Sequence, residues 1–147
     1  MESCLFCDVQ RSQPSATVVY EDTLAYVYHP TDDAPGYLGY LILIPGRHAP
    51  DYASLTSEEA QAIGLLTTRI SRALKACAGA EKVYVVFYGE VTPHLHIHLT
   101  ARYPDTPPEY LRWNVEAWPG APRGDAEAIA AICQKLRATL ADEVTQR

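Results

Sequence analysis

Three histidines within five residues, His94, His96 and His98, alternate with Leu95, Ile97 and Leu99. Successive side chains of an extended strand point to opposite faces, so the imidazoles share one face and the aliphatic residues share the other. Such a strand needs a hydrophobic core behind it and a site in front of it. The chain has 5 histidines in all, and a solvated or core-packed strand does not concentrate them in this way. Three chemistries fit the imidazole face. Neutral imidazoles could hold a catalytic zinc; one imidazole could be a covalent nucleophile whose neighbours fix its tautomer and bind an anion; or the face could bind a ligand without reacting.

At 147 residues the chain suits a single domain, 1–147, with a core that requires neither disulfides nor metal to fold. A net charge of −6 argues against a nucleic-acid polymer as partner, because a basic face would have to supply most of that affinity. A small anion in a local pocket stays compatible with it. No stretch approaches the roughly 18 consecutive apolar residues of a membrane span, and Met1-Glu2-Ser3-Cys4 shows no secretory pattern, so a cytoplasmic protein is expected. Of the 4 cysteines, Cys4 and Cys7 form a Cys-x-x-Cys pair suited to metal or redox chemistry. Cys77 and Cys133 fall in helical patterns and read as small buried hydrophobes.

In chain order, residues 1–15 read as an arm carrying the Cys pair and ending in the polar, turn-rich Gln10–Ser15. Thr17–Tyr20 and Leu24–Tyr28 are β-branched and aromatic runs joined by Glu21-Asp22-Thr23, the pattern of a hairpin. A loop from His29 to Gly36 precedes a strand over Tyr37–Ile44, ended by Pro45-Gly46. Thr56 and Glu59 form a capping box that opens a helix to about Cys77, with Ile63, Leu66, Ile70 and Leu74 as its buried stripe. Lys82–Tyr88 is the next strand, and the triad strand follows. Residues 103–124 carry Pro104, Pro107, Pro108, Pro119 and Pro122 with Trp113 and Trp118, the composition of an ordered loop packed on the domain. Asp125 caps a final helix over 125–143. The expected fold is α+β: an antiparallel sheet of about five strands, one long packing helix and a C-terminal helix.

His94 to Thr100 resembles the signature of the histidine triad (HIT) nucleotide hydrolases and transferases, with Thr100 a weakly apolar last position. Ile44-Pro45-Gly46-Arg47-His48 resembles the family's strand-Pro-x-x-His segment, and Cys4-Leu5-Phe6-Cys7 the N-terminal pair of its bacterial zinc-containing members. The resemblance implies attack by His96 on the α-phosphorus of a nucleoside phosphoramidate, nucleotidyl anhydride or dinucleoside polyphosphate, giving a covalent nucleotidyl-histidine. His98 and His94 would assist, with His98 also binding nucleotide. It further implies a structural zinc on Cys4, Cys7, His48 and His94, and a homodimer. A non-catalytic nucleotide-binding module and a catalytic-zinc hydrolase are the alternatives.

Two positions depart from the family pattern. The ribose-binding acid expected at or just after the second strand aligns with Asp32 when counted back from Gly39-Tyr40, and with His29 when counted on from the strand. Ahead of the triad, where relatives commonly place an amide near the phosphate, Glu90 stands instead; it is a candidate nucleotide contact, and its negative charge weakens the case for polyphosphate. Arg102 reads as a solvated surface charge.

Overall fold

The computed structural model describes residues 3–31 and 35–145. Five strands, β1 (Val18–Glu21), β2 (Ala25–Tyr28), β4 (Tyr40–Pro45), β5 (Lys82–Val86) and β6 (Ile97–Arg102), form one antiparallel sheet in the order β1-β2-β4-β6-β5. A second ladder pairs β3 (Gly36–Tyr37) with β7 (Arg123–Gly124). The expected strand over Tyr37–Ile44 is therefore two pieces. Gly39, at φ 86°, turns the chain between them, a conformation that side chains with a Cβ rarely adopt.

Helices α2 (Ser57–Ala78) and α3 (Ala126–Thr145) cover one face of the sheet. The Thr56 hydroxyl accepts from the Glu59 N–H, and the Glu59 carboxylate accepts from the Thr56 N–H, closing the expected capping box. Ile63, Leu66, Ile70 and Leu74 of α2 join Ile129, Cys133, Leu136 and Leu140 of α3 over Val27, Leu41, Leu43, Ile97 and Leu99. Asp125 accepts from the Ala128 N–H at 3.0 Å and starts α3.

The opposite face carries the site. Helix α1 (Leu5–Ser12) takes in the first half of the stretch expected to be turn-rich, Gln10–Ser12, while Gln13–Ser15 lies outside it. Arg11 and Ser12 face solvent and the half-buried Gln10 side chain donates to the Gly46 carbonyl, while Phe6 and Val9, on one side of the helix, pack onto Tyr26, Tyr28, Ile42 and Ile44. A helix this short is marginal alone and is held by that tertiary contact. Burial on both faces explains why all four residues of β2 are buried and why its pattern does not alternate.

The triad segment keeps its alternation but only part of its ladder. Leu95, Ile97 and Leu99 are all fully buried, yet β6 begins only at Ile97. The β4–β6 ladder stops at Leu43 opposite Ile97 and the β5–β6 ladder at Val86 opposite His98, so His94 and His96 lie beyond both. The Leu95 N–H donates instead to the Ala49 carbonyl at 2.7 Å. Residues 103–124 form an ordered loop with 3₁₀ turns at Pro108–Tyr110 and Arg112–Ala117, tied down by Val115 in the core and by the Tyr103 hydroxyl on the Leu38 carbonyl at 2.7 Å.

Candidate active site and metal centre

The three imidazoles of the triad have different surroundings. His96 Nδ1 lies 2.7 Å from the His94 carbonyl oxygen. A carbonyl only accepts, so Nδ1 carries the proton, and in the neutral ring Nε2 carries the lone pair. Phe6 stacks on the His96 ring at 4.3 Å between centroids and 22° between planes, and Phe87 meets it edge-on at 5.7 Å. The ring is therefore clamped in orientation while remaining half-buried and reachable. His98 Nδ1 lies 2.5 Å from the Tyr40 hydroxyl. A donating Tyr40 leaves His98 Nε2–H as a donor. Burial, and secondarily the neighbouring His96, lowers the His98 pKa, so the ring is held toward its neutral form.

His94 is turned away from this pair. Its ring is fully buried, and its Nδ1 lies 3.2 Å from Cys4 Sγ and 3.6 Å from Cys7 Sγ; His48 Nδ1 lies 3.5 Å from Cys7 Sγ. The ligand atoms of Cys4, Cys7, His48 and His94 all fall within 4.8 Å of one another, close enough to hold one metal ion. A tetrahedral ion with metal–sulfur bonds near 2.3 Å and metal–nitrogen bonds near 2.0–2.1 Å sets its ligand atoms roughly 3.3–3.8 Å apart, and the three sulfur–nitrogen separations lie in or next to that range. Burial, followed by the hydrogen bond and charge of Cys4, raises the Cys7 pKa, a crowding of thiols that a bound cation would reverse.

Local chemistry explains how four residues from three distant segments meet. Cys4 and Cys7 flank the first turn of α1. His48 follows Gly46, where a Cβ would meet the Thr23 carbonyl oxygen at 2.3 Å, so only glycine lets the β4 exit pass the hairpin. Arg47 then grips Glu59 through two hydrogen bonds of 2.5 and 2.9 Å, anchoring the segment to the start of α2.

Among the described residues, no group of three potential ligands close enough for a metal includes His96 or His98. The triad as a three-histidine zinc site thus finds no support. Asp32 lies outside the described residues. His29 is buried, with Nδ1 on the Pro30 carbonyl at 2.8 Å and Nε2 buried without a hydrogen bond, beside a cavity of about 180 Å³ that Tyr40, Glu116 and Arg123 also line. Glu90 is exposed in the loop before the triad. Arg102 pairs with Glu81 at 2.9 Å, away from the imidazoles. Sequence reasoning did not find Phe6 or Tyr40. Phe6 sits inside the Cys-x-x-Cys pair, a hint to its place, whereas nothing local marks Tyr40, which reaches His98 only through the β4–β6 register.

A five-stranded antiparallel sheet presenting a tautomer-fixed imidazole beside a Cys₂His₂ cluster defines a protein of the histidine triad class. The chain belongs to the HIT family, whose HIT domain matches residues 11–105. It is similar to an uncharacterized HIT-like protein of Mycoplasma genitalium, at 29% identity over 106 residues, 69% of this chain and 74% of that one. In fold it is similar to a Zn-bound histidine triad family protein of Mycobacterium smegmatis (TM-score 0.72, 20% identity, 99% of this chain and 98% of that one). It is similar also to a diadenosine triphosphate hydrolase of Plasmodium falciparum (TM-score 0.64, 14% identity, 88% of this chain and 79% of that one). Among the described residues, no helix is long and apolar enough to cross a membrane.

Proposed function

We propose that the protein, acting as one domain over 1–147, is a nucleotidyl hydrolase or transferase that cleaves at the α-phosphate through a covalent nucleotidyl-His96. The observation that carries this reading is the bond from His96 Nδ1–H to the His94 carbonyl, which leaves Nε2 as the nucleophile. In the first step Nε2 forms a bond to the α-phosphorus as the bond from phosphorus to the leaving group breaks. The leaving group departs with that electron pair and is protonated by solvent water, while His98 Nε2–H donates a hydrogen bond to the phosphoryl oxygens. Water then attacks phosphorus, the phosphorus–nitrogen bond breaks, and the nucleoside monophosphate leaves with His96 neutral again. Substrates are nucleoside phosphoramidates, nucleotidyl anhydrides or dinucleoside polyphosphates.

In this reading Cys4, Cys7, His48 and His94 hold a zinc ion that supplies structure and no chemistry. A closed Cys₂His₂ set leaves no open position for water. It pins the start of α1 and the His94 ring, and so steadies the carbonyl that sets the His96 tautomer. The test is a panel of adenosine phosphoramidate and diadenosine polyphosphates assayed with and without chelator. Turnover that survives chelation is expected. Turnover that disappears with chelator would favour catalytic metal, and tight binding with no turnover would favour a nucleotide-binding module.

The reading also takes the protein as a homodimer. β5 is an edge of the sheet, and Val85, Tyr88, Val91 and Trp113 are exposed on it and in the loops nearby. Unpaired edges and apolar patches are natural interfaces. Light scattering at micromolar concentration is expected to give twice the chain mass, and a monomer there would remove the dimer.

A further inference from the structure

One side chain joins the metal cluster to the nucleophile. Phe6 lies between Cys4 and Cys7 in sequence, and its ring meets two members of the triad at once. It meets the His94 ring edge-on, 5.7 Å between centroids and 63° between planes, and stacks on the His96 ring at 4.3 Å and 22°. Phe6 is 6% exposed and packs with Tyr26, Tyr28, Ile42 and Ile44 on the site face of the sheet. That group is separate from the main core under α2 and α3, so a change at Phe6 leaves the domain its principal support.

The His96 ring needs a second restraint. Its bond from Nδ1–H to the His94 carbonyl, 2.7 Å long, fixes the tautomer but not the plane of the ring. A hydrogen bond keeps most of its strength over a bend of about 30°, and such a bend at Nδ1 carries Nε2 about 1 Å to one side. Three rings surround the imidazole. Phe87 and His98 stand nearly perpendicular to it, at 89° and 81°, and only Phe6 lies close to parallel. A stacked ring in contact with the imidazole face opposes the tilt that the hydrogen bond allows.

Phe6 is delivered by α1, a helix of 8 residues that is too short to persist alone. The first turn of that helix, closed by the Asp8 N–H on the Cys4 carbonyl at 2.9 Å, carries both thiols. One ion on Cys4, Cys7 and His94 would therefore tie the backbone on either side of Phe6, and the segment that bears His96, to a single point. We infer that Phe6 is a positioning residue for His96, through which the filled Cys4-Cys7-His48-His94 cluster holds the nucleophile in line. The inference rests on the nucleotide reading above and adds how metal occupancy governs that site. Phe6 itself takes no part in bond breaking.

Two variants and one spectrum test it. Phe6→Leu keeps an apolar side chain in the packing group and removes the stack, whereas Val9→Ala thins the same helix packing and leaves the stack in place. A misplacement of about 1 Å costs about a hundredfold in rate, so a ring that still passes through the aligned position should lose about tenfold. On adenosine phosphoramidate, Phe6→Leu should show that loss in kcat with KM within about twofold, and Val9→Ala should keep kcat within about twofold. Chelation should lower kcat of the wild type by a factor close to that of Phe6→Leu and lower the variant little further, because two changes that act through one contact are not additive. Proton NMR reads the same contact without turnover. The His96 ring protons, identified by their loss in His96→Ala, should resonate upfield over the Phe6 ring in the metal-loaded wild type. They should move downfield in Phe6→Leu and on removal of metal from the wild type. His96 shifts unchanged by metal removal, additive losses of kcat, or a kcat in Phe6→Leu equal to that of Val9→Ala would overturn the inference and leave the nucleotide reading standing. If the loaded wild type shows no turnover, the nucleotide reading falls, and the shifts alone decide whether the cluster holds the ring.

Discussion

Replacing His96 by alanine should lower kcat by roughly 10⁴-fold or more, the scale seen when a covalent nucleophile is removed. Nothing nearby can substitute. His94 Nδ1 is directed at the Cys4 and Cys7 sulfurs, and His98 Nδ1 is engaged with Tyr40. The substrate contacts proposed for His98 do not pass through His96, so KM should stay within roughly threefold. Folding should be little affected. The ring is half-buried and its removal loses the stack on Phe6 and the edge contact with Phe87, each worth about 0.5–1.5 kcal/mol and together several degrees in melting temperature. Single-turnover assays of wild type and His96→Ala on adenosine phosphoramidate, paired with thermal melts, separate lost chemistry from lost structure. Residual turnover above a tenth of wild type in a folded variant would remove His96 as nucleophile.

Replacing Cys4 by serine should release the metal and lower the melting temperature by roughly 10–20 °C, taking loss of a structural metal site at about 3–5 kcal/mol. The cluster joins α1, the turn after β4 and the segment before β6, so its loss frees a helix too short to persist without tertiary support. Metal analysis of the protein as purified should give one zinc per chain in the wild type and much less in Cys4→Ser. Hydrogen exchange should lose its protection mainly over Leu5–Ser12. The direction with pH follows from the thiols: a metal-bound cysteine is a thiolate, and burial raises the Cys7 pKa in the metal-free cluster. Protons therefore compete with the metal, and affinity should fall as pH falls. Catalysis should drop less than in His96→Ala, because the bond from His96 to the His94 carbonyl is to backbone. Wild-type protein isolated without zinc, at full stability, would overturn the structural role.

Much of this protein is legible in residue order because its strongest signals are local and periodic. Alternation placed Leu95, Ile97 and Leu99 in the core, all fully buried as found. The Thr56 and Glu59 pair marked the start of α2, and the stripe at Ile63, Leu66, Ile70 and Leu74 marked its buried side. The four candidate metal ligands could be named together only through family resemblance, since nothing in their spacing brings residues 4, 7, 48 and 94 to one point. The tertiary structure did that, through the close approach at Gly46 and the grip of Arg47 on Glu59. It also decided what periodicity could not. Helix α1 exists because Phe6 and Val9 have a sheet to cover. His94 and His96 fall outside the ladder, which ends at Leu43 opposite Ile97 on one side and at Val86 opposite His98 on the other. One strand face, uniform in sequence, thereby becomes three sites: His94 faces thiols, His96 lies beneath Phe6, and His98 meets a tyrosine hydroxyl 58 residues earlier in the chain. Residue order determined that the imidazoles would share a face; the different partners packed around each ring, among them Cys4, Phe6 and Tyr40 from distant segments, decided what each can do.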